Sequence, residues 1–141
     1  MYEPIRTKSV HTMAETRMNH GPHRSREEEL DIRLAGHLTA LLTVTDELRA
    51  LTPDASLDDA ARRLAERVAR LSGGHPPLRA MPSAGTSAWT ASRVASLHQR
   101  AHTLAGQALV VATSRGDVAG SALAAERLRA HATTLGIAEA A

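Results

Sequence analysis

The chain contains no cysteine and no phenylalanine, one tryptophan (Trp89), one tyrosine (Tyr2) and a single lysine (Lys8). Each scarcity excludes something. Without cysteine there are no disulfides, no thiolate nucleophile, and no cysteine-ligated zinc or iron–sulfur site. Without aromatic or β-branched runs there is little to favour strands, so a core has to be assembled from Leu, Val and Ala. No apolar run approaches the ~18 residues of a membrane span, and the N-terminus lacks a signal-peptide apolar region. The expectation is a cytoplasmic protein with no membrane partner. The near-absence of lysine explains a mismatch between a net charge of +2 and a pI near 9.9. Almost every cation is Arg, which stays charged to very high pH, so the pI overstates basicity at neutrality.

What remains is a helix-forming composition. Hydrophobic residues make up 43% of the 141 positions, enough for one domain with one core. Ala is the strongest helix former, but an Ala-rich core buries little area per residue. Modest stability, or support from a partner chain, follows from that.

Residues 1–24 contain no Leu and show no apolar period. They are expected to form a flexible tail, and Met13 and Met18 are alternative starts that would leave residues 1–17 outside the native protein. The bundle domain is expected over 25–136. A first helix over 26–51 begins at Ser25, with Glu28 at the capping-box position and Glu27, Glu29 and Asp31 favoured by the helix dipole. Its apolar steps alternate four and three through Leu30, Leu34, His37, Leu41, Val44, Leu48 and Leu51, with Leu38 and Leu42 widening the stripe. Pro53 ends it. A second helix over 56–72 starts at Ser56 with Asp59 as its capping partner and carries Leu57, Ala61, Leu64, Val68 and Leu71. Residues 73–87, rich in Gly and Pro, are a linker long enough to let the third helix cross over the bundle. The third helix is expected over 88–115, capped by Thr86 or Ser87. Val94, Leu97, Ala101, Leu104, Ala108 and Val111 form its stripe, and Leu109 and Val110 add apolar surface off it. The fourth, over 118–135, has Asp117 as N-cap and a face of Val118, Ala122, Ala125, Leu128, Ala132 and Leu135. The fold class is all-α, a four-helix bundle.

Two short echoes suggest a duplicated hairpin: Leu34-Ala35-Gly36 with Leu104-Ala105-Gly106, and Ala65-Glu66-Arg67 with Ala125-Glu126-Arg127. Shared composition explains them nearly as well. Gly36, Gly106 and Gly120 fall mid-helix, where close approach of neighbouring helices is the expected reason for them.

Chemistry-bearing patterns are few. No nucleophile elbow, phosphate loop or dinucleotide fingerprint is present, so no catalytic residue is assigned and an enzyme is not expected. His98 and His102, spaced i, i+4, share a helix face. With His37 and His131 they are the candidate metal ligands, and zinc is the ion such a set would take. The simpler reading is packing histidines, because no carboxylate stands at the spacing of a dimetal bundle. From Arg67 to Gly116 there is no carboxylate, whereas Arg67, Arg70, Arg79, Arg93, Arg100 and Arg115 lie in that stretch. Arg93, Arg100 and Arg115 are the candidate phosphate contacts for a nucleic acid. The thin spread of charge and the lack of interleaved aromatics favour instead a pairing with the acidic first helix, within the bundle or across a dimer.

The run Arg33-Leu34-Ala35-Gly36-His37-Leu38, with Leu41-Leu42, Leu51-Thr52-Pro53-Asp54, and Ala91-Ser92-Arg93-Val94-Ala95 through Leu104, resembles an actinobacterial family of short helical proteins of unknown function. Members are often annotated by neighbourhood with natural-product biosynthesis. The resemblance covers about half the chain. It implies the same fold class and an accessory or regulatory role, and it carries no catalytic residue. The functional expectation is a non-enzymatic interaction bundle that binds itself or another protein through Leu109, Val110, Arg93 and Arg100, with ligand or metal binding and nucleic-acid binding as alternatives.

Overall fold

The computed structural model describes residues 24–79, 81 and 91–137. Among these residues the fold has four helices: α1 (Arg26–Leu51), α2 (Ala55–Leu71), α3 (Ala91–Arg115) and α4 (Val118–Leu135). The expected tail and the expected start of α3 at Ala88, with its caps at Thr86 or Ser87, lie outside the described residues.

Local chemistry sets the helix ends. Ser25 and Glu28 form the expected capping box, with Glu28 N–H donating to Ser25 Oγ at 3.1 Å and Ser25 N–H to Glu28 Oε1 at 2.9 Å. α2 departs from expectation by one residue. It starts at Ala55 because Asp54, not Ser56, is the cap, accepting from Ser56 N–H at 2.9 Å. Asp59 makes no capping box; Arg62 and Arg63 hold it at 2.6 and 2.9 Å. A two-residue turn joins α3 to α4. Gly116, at φ +77°, reverses the chain, and Asp117 caps α4 by accepting from Gly120 N–H at 2.9 Å.

The packing follows a definite order. α1 packs on α2 and α3, α3 packs on α4, and α2 and α4 touch only lightly; α1 and α4, like α2 and α3, sit on diagonals. Ion pairs give the directions. Arg93–Glu47 and Arg115–Asp31 run α3 antiparallel to α1, and Arg63–Glu126 and Arg67–Asp117 run α4 antiparallel to α2. α2 and α3 are therefore parallel, so the chain between them must return along the bundle from the end of α2 to the start of α3. The long linker is this crossover. Arg79, partway along it, is fixed to Asp46 near the far end of α1 by Nε and Nη2 at 3.0 and 2.8 Å.

The core is unequal. The α1–α2 hairpin fills it with Leu34, Leu38, Leu41, Leu42, Leu48 and Leu64, whereas the α3–α4 hairpin contributes mainly Ala101, Ala105, Ala108, Ala112 and Ala124. The two hairpins nevertheless match in burial. Leu34, Leu38 and Leu41 correspond to Ala101, Ala105 and Ala108; Leu57, Ala61, Leu64 and Val68 correspond to Gly120, Ala124, Arg127 and His131. By this register Leu34 pairs with Ala101 and not Leu104, and the counterpart of Arg127 is Leu64 and not Arg67. Both sequence echoes fall on non-equivalent positions.

Three expectations about faces change. The α1 seam is centred on Leu34, Leu38 and Leu41, which leaves His37 and Leu51 half-buried. α4 is rotated from its expected face: Val118 is 81% exposed and Ala122 is exposed, while Leu123, Ala124, Arg127 and His131 turn inward. Ala132 is buried and Leu128 packs against the core, as the apolar spacing indicated, but the spacing missed the rest of this face because it contains a cation and an imidazole. The mid-helix glycines do not share one cause. Gly36 is exposed with open space around it, and a Cβ at Gly106 would make ordinary contact with Leu128 of α4. A Cβ at Gly120 would meet the Asp117 carboxylate at 2.6 Å, so the capping side chain accounts for that glycine.

Candidate functional site

Arg127 and His131 are one turn apart on the inward face of α4, and His98 occupies the inward stripe of α3 beside Ala101 and Ala105. Small alanines let the two helices close around these larger groups. His98 Nδ1 lies 2.9 Å from His131 Nδ1, with ring centroids 5.1 Å apart and planes tilted by 52°. His131 Nε2 lies 3.4 Å from Arg127 Nη2. The three groups are 9%, 1% and 3% exposed for His98, His131 and Arg127 respectively.

A guanidinium only donates, so His131 Nε2 must accept and its proton resides on Nδ1. That proton points at His98 Nδ1, which must then accept, placing the His98 proton on Nε2. The chain of donors runs Arg127 to His131 to His98, and both rings are neutral. The electrostatics agree. Burial, and then the Arg127 charge, lower the His98 pKa below its usual value. Burial, followed by Arg127, His98 and His102, pushes His131 down to about 3. Among the described residues Glu126 is the carboxylate that pairs with Arg127, whose Nη1 meets it only at 3.3 and 3.5 Å. Arg127 Nε is buried with no partner among the described residues.

The structure thus joins His98 and His131 of the four candidate ligands. His102 sits half-buried one turn further along α3, and His37 is half-buried on α1, which does not pack on α4. Nδ1 of each paired ring is occupied by the other, so a metal would have to displace that contact beside a fixed positive charge. Among the described residues no three His, Asp or Glu side chains are grouped to hold an ion.

Three of the six arginines of the carboxylate-free stretch face the acids of α1, as the charge segregation suggested. Arg79 reaches Asp46, Arg93 reaches Glu47 at 2.9 Å, and Arg115 reaches Asp31 at 2.9 Å. Arg67 instead bonds Asp117 at 2.7 Å. Arg100 stays on the polar outer face of α3 with Ser96, Gln99, Thr103 and Gln107. Leu109 packs against the core, but Val110 is 66% exposed and edges a groove of 340 Å³ with Arg26, Glu29, Leu30 and Arg33 of α1. A larger open groove of 990 Å³ runs between α2 and α4, walled by Arg63, Arg67 and Arg70 on one side and Leu123 and Glu126 on the other.

Sequence reasoning missed Arg127 and Asp46 as organising groups, and found the capping role of Asp117 but not its tie to Arg67. The i, i+4 spacing of Arg127 and His131 was the one available signal for the cluster. No helix among the described residues is long and apolar enough to cross a membrane. No family model, curated protein or solved structure matches the chain.

Proposed function

We propose that this chain is a non-enzymatic helical interaction protein that associates with a second copy of itself. The observation that carries the reading is Val110, a large apolar side chain left 66% exposed beside the α1–α3 groove. Around it Arg26, Arg33 and Glu29 supply both signs of charge, the mixture that a two-fold, self-complementary contact can use. The alanine core of α3 and α4 adds a motive, since it buries little area per residue and a second chain would add burial. Leu109 is withdrawn from the earlier set of contact residues because it packs inward, and Arg93 because Glu47 engages it. The accessory or regulatory role implied by the family resemblance fits a protein of this kind.

Analytical ultracentrifugation across micromolar to millimolar concentration tests the reading. A reversible dimer, shifted to monomer by Val110→Glu, is expected. A protein that stays monomeric throughout that range sinks it.

The α2–α4 groove favours a second reading, a small-ligand protein, because its volume lies in the range of ligand sites. No histidine lines it, so the ligand alternative moves away from the imidazoles.

A further inference from the structure

We infer that the Arg127–His131–His98 chain is an acid-sensitive latch that holds α4 on α3 and lets it go when a proton is added. The argument rests on hydrogen-bond directions. Only one arrangement of protons satisfies both contacts at 2.9 and 3.4 Å: His131 protonated on Nδ1 and His98 on Nε2. A proton added to His98 must go on Nδ1, where it faces the Nδ1–H of His131. A proton added to His131 must go on Nε2, where it faces Arg127. Moving the His131 proton from Nδ1 to Nε2 only transfers the conflict from one contact to the other. Every protonated state therefore sets two donors against each other inside the α3–α4 seam.

Among the described residues no carboxylate acts on either ring to offset the added charge. The groups acting on the pair are Arg127 from α4 and His102 from α3, both of which oppose protonation. Glu126 lies beyond the guanidinium, and no carboxylate of α1 or α2 acts on either ring. α4 is held to the bundle mainly through this seam, since it packs on α3 and only lightly on α2, where Arg63–Glu126 and Arg67–Asp117 join it.

The sign follows by linkage. Both folded pKa values are depressed, so the unfolded or released state binds more protons. Stability is complete above the unfolded value near 6.5 and declines as pH falls towards the folded value of about 3 for His131. One ring fully excluded from protonation raises the opening constant about twentyfold between pH 7 and pH 5. Carboxylates titrate mainly below that window.

The experiment is hydrogen exchange and equilibrium unfolding of the full chain at pH 7 and pH 5, together with imidazole nitrogen NMR. The expected result is a rise of at least about twentyfold in the opening constant of α4 amides at pH 5, with α1 amides still protected. His131→Gln keeps one acceptor for Arg127 and one donor for His98 but cannot take a proton, and it is expected to remove the share of that dependence that His131 carries, leaving only that of His98. NMR of the wild-type chain should find His131 protonated on Nδ1 and His98 on Nε2, which tests the latch even if the variant does not fold. Reversed tautomers, a His131 charged at pH 5 in the folded protein, α1 opening together with α4, or a wild-type pH slope retained in His131→Gln would each overturn the inference.

Discussion

Arg67 of α2 donates to Asp117 at 2.7 Å, and the same Asp117 oxygen caps α4 by accepting from Gly120 N–H at 2.9 Å. One carboxylate thus starts a helix and, beside the Arg63–Glu126 pair, ties it to a helix on which it packs only lightly. The two roles are separable. Asp117→Asn keeps a capping oxygen and loses the charge, whereas Asp117→Ala loses both. The alanine variant is expected to cost about 2 kcal/mol of unfolding free energy and the asparagine variant about half of that, read from urea midpoints. Equal losses would mean that the cap contributes nothing.

Arg79 and Asp46 fasten the crossover to α1. Asp46 is a buried acceptor shared by Arg79 and by Arg49, which lies 2.9 Å away. Asp46→Asn should weaken both contacts and lower stability by about 1–2 kcal/mol, discounted because the arginines are partly exposed. It should also make the peptide bond after Arg79 markedly more sensitive to trypsin, since that arginine is otherwise engaged. Limited digestion followed by mass spectrometry reads this directly, and unchanged cleavage at Arg79 would rule out a fastening role.

The number of helices and five of their boundaries could be read from leucine spacing, the Ser25–Glu28 box, Pro53, Gly116, the Asp117 cap and Gly136, because these signals act within a few residues along the chain. The pairing of α1 acids with crossover and α3 arginines was legible as a charge imbalance. Which arginine meets which acid was not, because inter-helix register is set by packing across the bundle. The face of α4 was misread for a specific reason. A hydrophobic stripe is found by looking for apolar residues, and the inward positions of α4 include Arg127 and His131, which satisfy each other only once His98 arrives from α3. Val118 and Ala122, apolar and regularly spaced, marked the wrong side.

The glycines of α1 and α4 predict opposite outcomes for the same substitution. Gly36 is exposed with nothing within contact distance, so Gly36→Ala should gain helix propensity of up to about 1 kcal/mol and raise Tm by about 3–5 °C. Gly120→Ala adds the same propensity but drives a Cβ into the Asp117 carboxylate. The carboxylate must swing away, weakening the cap and the Arg67 contact, and the net effect is expected to be a loss. Thermal melts of the two variants should move in opposite directions; two increases would show that Asp117 relocates without cost.

The match between hairpins yields a last test, of the polar cluster itself. Leu64 and Val68 in α2 occupy the positions that Arg127 and His131 hold in α4. Arg127→Leu alone leaves His131 Nε2 buried without its donor and should cost about 1–3 kcal/mol. Arg127→Leu with His131→Val removes the buried charge and the imidazole together, copying the apolar solution of α2, and leaves only the His98 Nδ1 acceptor without its donor. Replacing a buried charged group with packed hydrocarbon is often neutral or stabilising. The double variant is therefore expected to be more stable than the single one and within about 1 kcal/mol of wild type at pH 7, measured by urea unfolding. Additive losses in the pair would instead mean that Arg127 and His131 each make independent favourable contacts, and that the cluster contributes to stability at neutral pH.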